Sequence, residues 1–328
     1  MKQRGFVIEV RDLCKNYDGI TAVAGVSFSV ERGEIFGLLG PNGAGKTTTI
    51  HMLCCLLRPT AGTVVVDGVD AVLNPSRVKE LIGVVPQDIA LYPTLSGRDN
   101  LAFWGRMCGL KGSELRDRMR KALEIVGLSA RAGEEMGKYS GGMKRRLNLA
   151  AGLMHRPTVL FLDEPTVGVD PQSRNHIFEN VKRLNEEGVT VVYTTHYMEE
   201  AERLCHRVAV MDEGKIVALD TPASLVSLLG GGLIRIGVPA CSQEILSKIG
   251  CLAGVKDVSV IPPAGRHDGT ELGPDHPLLK VEAHQARQAV LEVISLFGEL
   301  DLEMLSLEIL EPNLESVFLH LTGKRLRD

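Results

Sequence analysis

The chain predicts an α/β fold followed by a small α+β unit. Three observations carry this. Residues 35–50 run Ile35-Phe36-Gly37-Leu38-Leu39-Gly40-Pro41-Asn42-Gly43-Ala44-Gly45-Lys46-Thr47-Thr48-Thr49-Ile50, an apolar strand meeting a glycine-rich turn that opens a helix. Val159-Leu160-Phe161-Leu162 leads into Asp163-Glu164-Pro165, and an apolar run without polar alternation belongs to a strand covered on both faces. The last hundred residues read β-α-β-β-α-β, the order of a ferredoxin-like unit.

With 328 residues, 44% of them hydrophobic, the chain can bury a full core and form two domains. A formal charge of −4 argues against a broad nucleic-acid-binding surface, so no nucleic-acid partner is expected. Seven cysteines, odd in number and without a C-x-x-C pair, point to reduced thiols in a cytoplasmic protein. Phe6-Val7-Ile8-Glu9-Val10 alternates as a strand and does not read as a signal peptide. No stretch reaches the roughly 18 uninterrupted apolar residues of a membrane span.

From the amino terminus, Val7–Val10, Ala22–Val23 and Val26–Val30 read as strands joined by polar turns. Tyr17 falls in the turn Lys15-Asn16-Tyr17-Asp18-Gly19, where its ring either stacks on an adenine or simply packs. The next loop matches G-x-x-x-x-G-K-[ST] at Gly40, Gly45, Lys46 and Thr47. Its glycines let the backbone curl round an anion with no Cβ in the way. Gly40-Pro41-Asn42-Gly43-Ala44-Gly45, with Lys46, Thr47 and Thr48 opening the helix, turns amides and a helix dipole toward phosphates. Lys46 is placed to neutralise the β- and γ-phosphates and the Thr47 hydroxyl to hold Mg²⁺, which makes this a nucleotide site.

Thr48–Leu57 reads as a buried helix ended by Arg58-Pro59, and Thr63–Asp67 and Ile82–Val85 as strands. The second strand exits at Pro86-Gln87-Asp88, where the Gln87 amide either reaches Mg²⁺ or its water, or is a solvated loop group. Residues 97–132 turn helical. Leu101, Trp104 and Met107–Cys108 share one periodic face, Leu115, Met119, Leu123 and Val126 another, and both stripes read as core. At Tyr139-Ser140-Gly141-Gly142-Met143, Ser140 reads as an N-cap, and two glycines leave first-turn amides uncovered, a second anion site. Lys144, Arg145 and Arg146 read as the solvated face of that helix.

Asp163 stands at the carboxyl end of its strand, where a sheet meets its ligand, and suits Mg²⁺ held through water. Glu164, one residue on, is placed to deprotonate a water aimed at the γ-phosphate. Val189–Thr194 is a further buried strand, and His196 leaves it on the phosphate side, which favours a γ-phosphate contact over a core role. Glu199–Glu202 opens a helix with a solvated charged face. Val208–Met211 and Lys215–Leu219 flank an Asp212-Glu213-Gly214 hairpin turn.

In this order, Tyr17, the Gly40–Thr47 loop, Gln87, Ser140-Gly141-Gly142, Asp163-Glu164 and His196 resemble the nucleotide-binding subunit of an ATP-binding cassette (ABC) transporter over roughly residues 6–228. The resemblance implies a P-loop NTPase of the ABC cassette type. Residues 1–229 then hold a mixed-sheet core, an antiparallel β subdomain and a helical subdomain at about 88–155. It further implies a head-to-tail homodimer, or a heterodimer with a similar subunit. Each ATP lies between one subunit's Lys46 loop and the other's Ser140-Gly141-Gly142 helix start. Tyr17 stacks on the adenine, Thr47, Gln87 and Asp163 hold Mg²⁺, Glu164 is the base, and His196 steadies the γ-phosphate. Gln87 and the helical insert form the coupling surface to a separate transmembrane permease, on the cytoplasmic face of the cell membrane. Tyr139 and Met143 depart from the leucine and glutamine that usually flank the SGG segment, and Val167 stands where many members carry serine.

Gly230-Gly231-Gly232 marks the start of a second domain, 230–328. Strands at Leu233–Gly237, Asp257–Ile261, Leu278–Ala283 and Leu302–Leu310, helices at Ser242–Ile249 and Gln285–Phe297, and a loop at Pro262–Pro277 give the ferredoxin-like order. A last helix lines Leu314, Val317, Phe318 and Leu321 on one face. Glu311-Pro312-Asn313-Leu314-Glu315-Ser316-Val317-Phe318 is similar to the tail of exporter ATPases of the daunorubicin-resistance group, implying export of drugs, antibiotics or lipid-like compounds. No ligand constellation occurs here, and a dimer-supporting or regulatory role is expected. The rival reading is a soluble ABC ATPase acting on ribosomes or nucleic acid. Such proteins typically join two cassettes in one chain or carry long coiled-coil arms, whereas this chain has one cassette, no heptad run and no basic face.

Overall fold

The computed structural model describes residues 5–228, 231–261, 277–284, 286–310 and 312–322. Gly230, residues 262–276 of the predicted loop, Gln285 and Glu311 lie outside the described residues. The chain divides into two compact units, one running to Pro222 and a second, Ala223–Leu326.

In the first unit, apolar–polar alternation sends two long strands, β1 (Phe6–Tyr17) and β2 (Ile20–Glu31), into an antiparallel hairpin. Asp18 and Gly19 form its two-residue turn with φ of 39° and 91°, the primed geometry that matches strand twist. Tyr17 therefore closes β1 instead of sitting in the predicted turn, and the short predicted strands merge into two. β3 (Ile35–Leu39) runs into the glycine-rich loop and α1 (Lys46–Leu53). That helix stops at Leu53, short of the predicted Leu57, where Cys55 takes a left-handed φ of 57°. β4 (Ala61–Val66) returns beside β1, and β5 (Val69–Asp70) completes an antiparallel sheet of order β2-β1-β4-β5.

α2 (Pro75–Leu81) leads to β6 (Ile82–Val85), and α3 (Gly97–Met107), α4 (Gly112–Ile125) and α5 (Gly141–Gly152) make the helical insert. β7 (Val159–Asp163), α6 (Pro171–Glu186), β8 (Thr190–Thr195), α7 (Met198–Leu204), the β9 (Arg207–Asp212) and β10 (Lys215–Asp220) hairpin and α8 (Pro222–Ser227) follow. The mixed sheet has the order β10-β9-β3-β8-β7-β6, parallel except for β10. Every residue of β3, β7 and β8 is buried, the two-sided cover that their apolar runs require. Leu39 pairs with Thr195, Asp163 with Thr194 and Val85 with Leu162. The loop, both acids, His196 and Gln87 thus leave the sheet along one edge, outside the carboxyl ends of its strands.

The two sheets share a core. Ile8, Val10 and Phe28 of the antiparallel sheet join one cluster with Phe36, Phe161 and Val192 of the mixed sheet and Ile50 of α1. Phe28 and Phe36 stack with ring centroids 5.1 Å apart. Burying each such side chain is worth roughly 1.5–3 kcal/mol. In the helical insert, Leu101, Leu115, Leu123 and Val126 are buried as predicted, but Met107 and Cys108 are exposed. Met107 ends α3 and Cys108 is its C-cap, so the apolar stripe leaves the helical interface there. Trp104 is half-buried, and its Nε1 donates to Ala90 O at 3.0 Å.

The second unit takes in α8 from Ala223 onward and comprises β11 (Leu233–Gly237), α9 (Gln243–Gly250), β12 (Val255–Ile261), β13 (Leu278–Ala283), α10 (Ala286–Glu299), β14 (Ser306–Leu310) and α11 (Leu314–Thr322). Its sheet order, β12-β13-β11-β14 with every pair antiparallel, is ferredoxin-like. Ile234, Ile236, Leu279 and Val281 form its core with Ile249 of α9 and Val293 and Phe297 of α10. β14 starts at Ser306, not at the predicted Leu302, and Leu302 packs against that core from the preceding turn. Among the described residues no helix is long and apolar enough to cross a membrane.

Candidate active site

The glycine-rich loop is held by close backbone approach. Gly45, immediately before α1, has φ 99°, and a Cβ there would meet Ala22 O at 2.6 Å. The same contact ties β2, and so the hairpin that carries Tyr17, to the loop. A Cβ on Gly40 would meet Met211 O at 2.3 Å. α1 has no side-chain cap and no acid in its first turn, which leaves its amides and positive end to an anion. Asn42 and Gly43 are exposed, Ala44 is buried, and Pro41, Thr47 and Thr48 are half-buried. Lys46 is only 4% exposed. Its Nζ donates to Gly40 O at 2.8 Å and Pro41 O at 3.1 Å, and lies 3.2 Å from Glu164 Oε1.

Asp163 and Glu164 are both buried at the end of β7. Thr194 joins them, its Oγ1 donating to Asp163 Oδ1 at 2.6 Å and accepting the Glu164 N–H at 2.9 Å. Glu164 has φ 45°, a left-handed conformation that costs a non-glycine residue energy, and the Thr194 bond holds it there. Glu164 Oε2 accepts from Gln87 Nε2 at 3.3 Å and lies 3.2 Å from His196 Nδ1. The His196 approach is within ion-pair reach but lacks hydrogen-bond geometry, so the buried Nδ1 has no hydrogen-bond partner among the described residues. Lys46, Gln87 and His196 thus surround one carboxylate. Beside it, the Thr47 hydroxyl donates to Asp163 Oδ1 at 3.4 Å. Together with the Gln87 amide, these groups supply the oxygen donors that a hard divalent cation takes.

Tyr17 is 44% exposed, with Lys15 Nζ 5.0 Å from its ring centroid. Lys15 is itself anchored to Arg58 O at 2.9 Å, so the ring is oriented while much of its surface stays open.

At the start of α5, the Ser140 Oγ accepts the Met143 N–H at 3.3 Å, the predicted cap. Ser140 and Gly141 are exposed. The two glycines differ, since a Cβ on Gly141 would meet nothing within 4 Å, whereas one on Gly142 would lie 2.0 Å from Ser173 Oγ. Gly142 lets α5 approach α6, and Gly141 leaves the amides open. Tyr139 is buried and its hydroxyl donates to Arg131 O at 2.7 Å, with burial pushing the phenol up from its usual value.

Arg145 and Arg146 are not the solvated face that their spacing predicts. Arg145 Nη1 donates to Gln87 O, and its Nη2 donates to Val167 O at 3.2 Å. Arg146 Nη1 donates to Val126 O at 3.0 Å. Loop carbonyls packed under a helix need donors, and these guanidiniums supply them while burial pushes both down from their usual range. The bond to Val167 uses its backbone, so it needs no hydroxyl at that position. Glu200 also departs from the predicted solvated face and is 2% exposed. Thr194, Arg145 and Glu200 escape a motif reading; the available signal is the hydroxyl run Tyr193-Thr194-Thr195 ending a strand covered on both faces, where polar groups require partners.

The chain matches the family model described as ABC transporter over residues 23–167. It is 46% identical to the linearmycin resistance ATP-binding protein LnrL of Bacillus subtilis, over 98% of this chain and 100% of that one. It is 39% identical to the daunorubicin resistance ATP-binding protein DrrA2 of Streptomyces coeruleorubidus, over 98% of this chain and 96% of that one. Among solved structures it resembles the dimeric post-hydrolysis ATP-binding cassette MJ0796 bound to ADP and phosphate, with a TM-score of 0.60 and 26% identity over 65% of this chain and 98% of that one. A phosphate loop, paired acids and a buried lysine on this sheet edge, in a chain that aligns end to end with such relatives, mean that it belongs to the ABC transporter family as an ATP-binding, ATP-hydrolysing subunit.

Proposed function

We propose that this subunit drives export of a drug, an antibiotic or a lipid-like compound through a separate transmembrane permease. It works on the cytoplasmic face of the cell membrane as a head-to-tail homodimer, or as a heterodimer with a similar subunit. The observation that carries the reading is the contrast between two anion-facing helix starts. One, at Lys46, stands beside acids and His196, while the other, at Ser140 and Gly141, is solvent-exposed. Each start supplies what the other lacks, so ATP seated between copies meets both. Residues 230–328 act as an accessory domain. The relatives named for linearmycin and daunorubicin resistance support export over an action on ribosomes.

In this reading Tyr17 stacks on adenine, and the Gly40–Gly45 loop, Lys46 and Thr48 take the phosphates. Lys46 neutralises the β- and γ-phosphates. Thr47, Asp163 and Gln87 fit Mg²⁺, and their oxygen donors with the adjoining 3.4 Å contact between Thr47 and Asp163 are the ground for that fit. When bound, the ion offsets charge developing on the phosphate oxygens. Glu164 accepts a proton from the attacking water, Gln87 orients the carboxylate, and His196 donates to the γ-phosphate. Ser140 and the amides at Gly141 and Gly142 complete the partner's site.

The test mixes two inactive variants, Lys46→Ala and Ser140→Arg. Neither hydrolyses ATP alone, and the mixture recovers turnover because one of its seams carries neither lesion. A mixture that stays as inactive as its components overturns the shared-site reading. Purification from detergent-solubilised membranes should bring down an integral membrane protein, whereas ribosomal proteins in its place would overturn the export role.

A further inference from the structure

We infer that Glu200 is a positioning residue for ATP hydrolysis, fixing the turn after Glu164 and the strand exit that carries His196 as one unit. Its carboxylate, on α7, accepts from Thr166 Oγ1 at 2.8 and 2.9 Å, from Tyr193 Oη at 2.9 Å and from Thr195 Oγ1 at 2.9 Å. Arg174 Nε, on α6, lies 3.5 Å from Glu200 Oε1 and supplies the opposite charge. Thr166 stands two residues beyond Glu164, and Thr195 is the neighbour of His196. One buried carboxylate therefore holds the chain on the far side of both reacting groups.

The chemistry requires a carboxylate. Its oxygens are acceptors only and serve several hydroxyl donors at once, which an amide of the same shape cannot match. Pure packing would be met as well by an apolar side chain without the desolvation cost of a charge. Strand alternation extends the arrangement. Tyr193 and Thr195 face Glu200, while Thr194, between them, bonds Asp163 and the Glu164 amide. Both faces of the β8 terminus are thus used to hold the turn at Glu164.

This inference rests on the reading of Glu164 as the base. In the full-length protein, Glu200→Gln should lower kcat by about 10- to 100-fold, the cost of a small misplacement of reacting groups, with KM for ATP close to the parent's and a lowered melting temperature. Thr166→Val should act in the same direction, and Thr166→Ser, which restores the donor, should recover the rate. Parent-like kcat in both Glu200→Gln and Thr166→Val overturns the inference, as does a loss that appears in KM as much as in kcat. Should Glu200→Gln fail to fold, the Thr166 pair decides alone. Glu164→Gln separates the two readings: if it still turns over, the base assignment falls; if it is inactive while Glu200→Gln is parent-like, only the positioning role falls.

Discussion

At the start of α1, Lys46 is 4% exposed and already engages two loop carbonyls and Glu164, and at the start of α5, Ser140 and Gly141 stand in solvent. Both are helix amino termini with glycines next to them, yet their surroundings differ. The first is wired into the ends of β3, β7 and β8 by side-chain hydrogen bonds. The second is wired from behind, through Arg145 to the Gln87 and Val167 carbonyls and through Gly142 to α6, while its outer face is bare. The difference is the one the proposed shared site requires, with one half folded to completion within the chain and the other backed by packing but left open for use by a partner copy.

The largest expected effect comes from removing the reactive group on the complete half. Glu164→Gln should lower kcat about 10²- to 10⁴-fold, the range of general-base contributions, with nucleotide binding retained by calorimetry. Next, the two glycines of α5 separate surface from packing. Gly142→Ala forces a Cβ against Ser173 and should cost roughly 1–3 kcal/mol in urea unfolding. Gly141→Ala should unfold like the parent yet lose turnover, and equal unfolding costs at both positions would break the comparison. A smaller effect is expected at Tyr17, where Tyr17→Ala should weaken adenine nucleotides by about 0.5–1.5 kcal/mol while sparing inorganic triphosphate, measured by competition.

The smallest effect concerns alkaline pH. Burial pushes the Cys54 thiol well above its usual 9.0 and the Tyr193 phenol well above 10.0, both behind the complete half. Above pH 9 the unfolded chain releases these protons while the folded chain keeps them, so the folded state loses stability as pH rises. Melting temperature should decline from pH 9 upward, and Cys54→Ala should make the decline shallower.

Much of the site is legible from local sequence. Lys46, Thr47 and the loop glycines act within a few residues of one another, and Asp163 and Glu164 announce themselves by ending an apolar run. Ferredoxin-like order in the second unit follows from strand and helix periodicity alone. Thr194 and Arg145 are not legible because their partners lie far along the chain, Thr194 and Asp163 at a separation of 31 and Arg145 and Gln87 at 58. Glu200 is not because its partners Tyr193 and Thr195, though near in sequence, meet it only when α7 packs back on β8, and Thr166 joins from 34 residues away. Charge runs misled for the same reason. Within these runs Arg145, Arg146 and Glu200 look solvated until tertiary packing sets carbonyls and hydroxyls against them, while Glu199 and Glu202 stay exposed. The type of the Asp18-Gly19 turn is local, but the length of the hairpin it closes depends on β1 pairing with β4 as well.

The Thr194 hydroxyl donates a hydrogen bond to Asp163 and accepts one from the Glu164 amide, so two neighbouring acids share a single tether. Replacement by valine would release both at once, and serine would keep the tether while loosening its rotamer. The tether fixes the Asp163 carboxylate directly and Glu164 through its backbone, so a change at Thr194 moves both residues. In the proposed reading, altering this strand end changes cation affinity and water activation together, which narrows the mutational routes by which such a motor can be retuned.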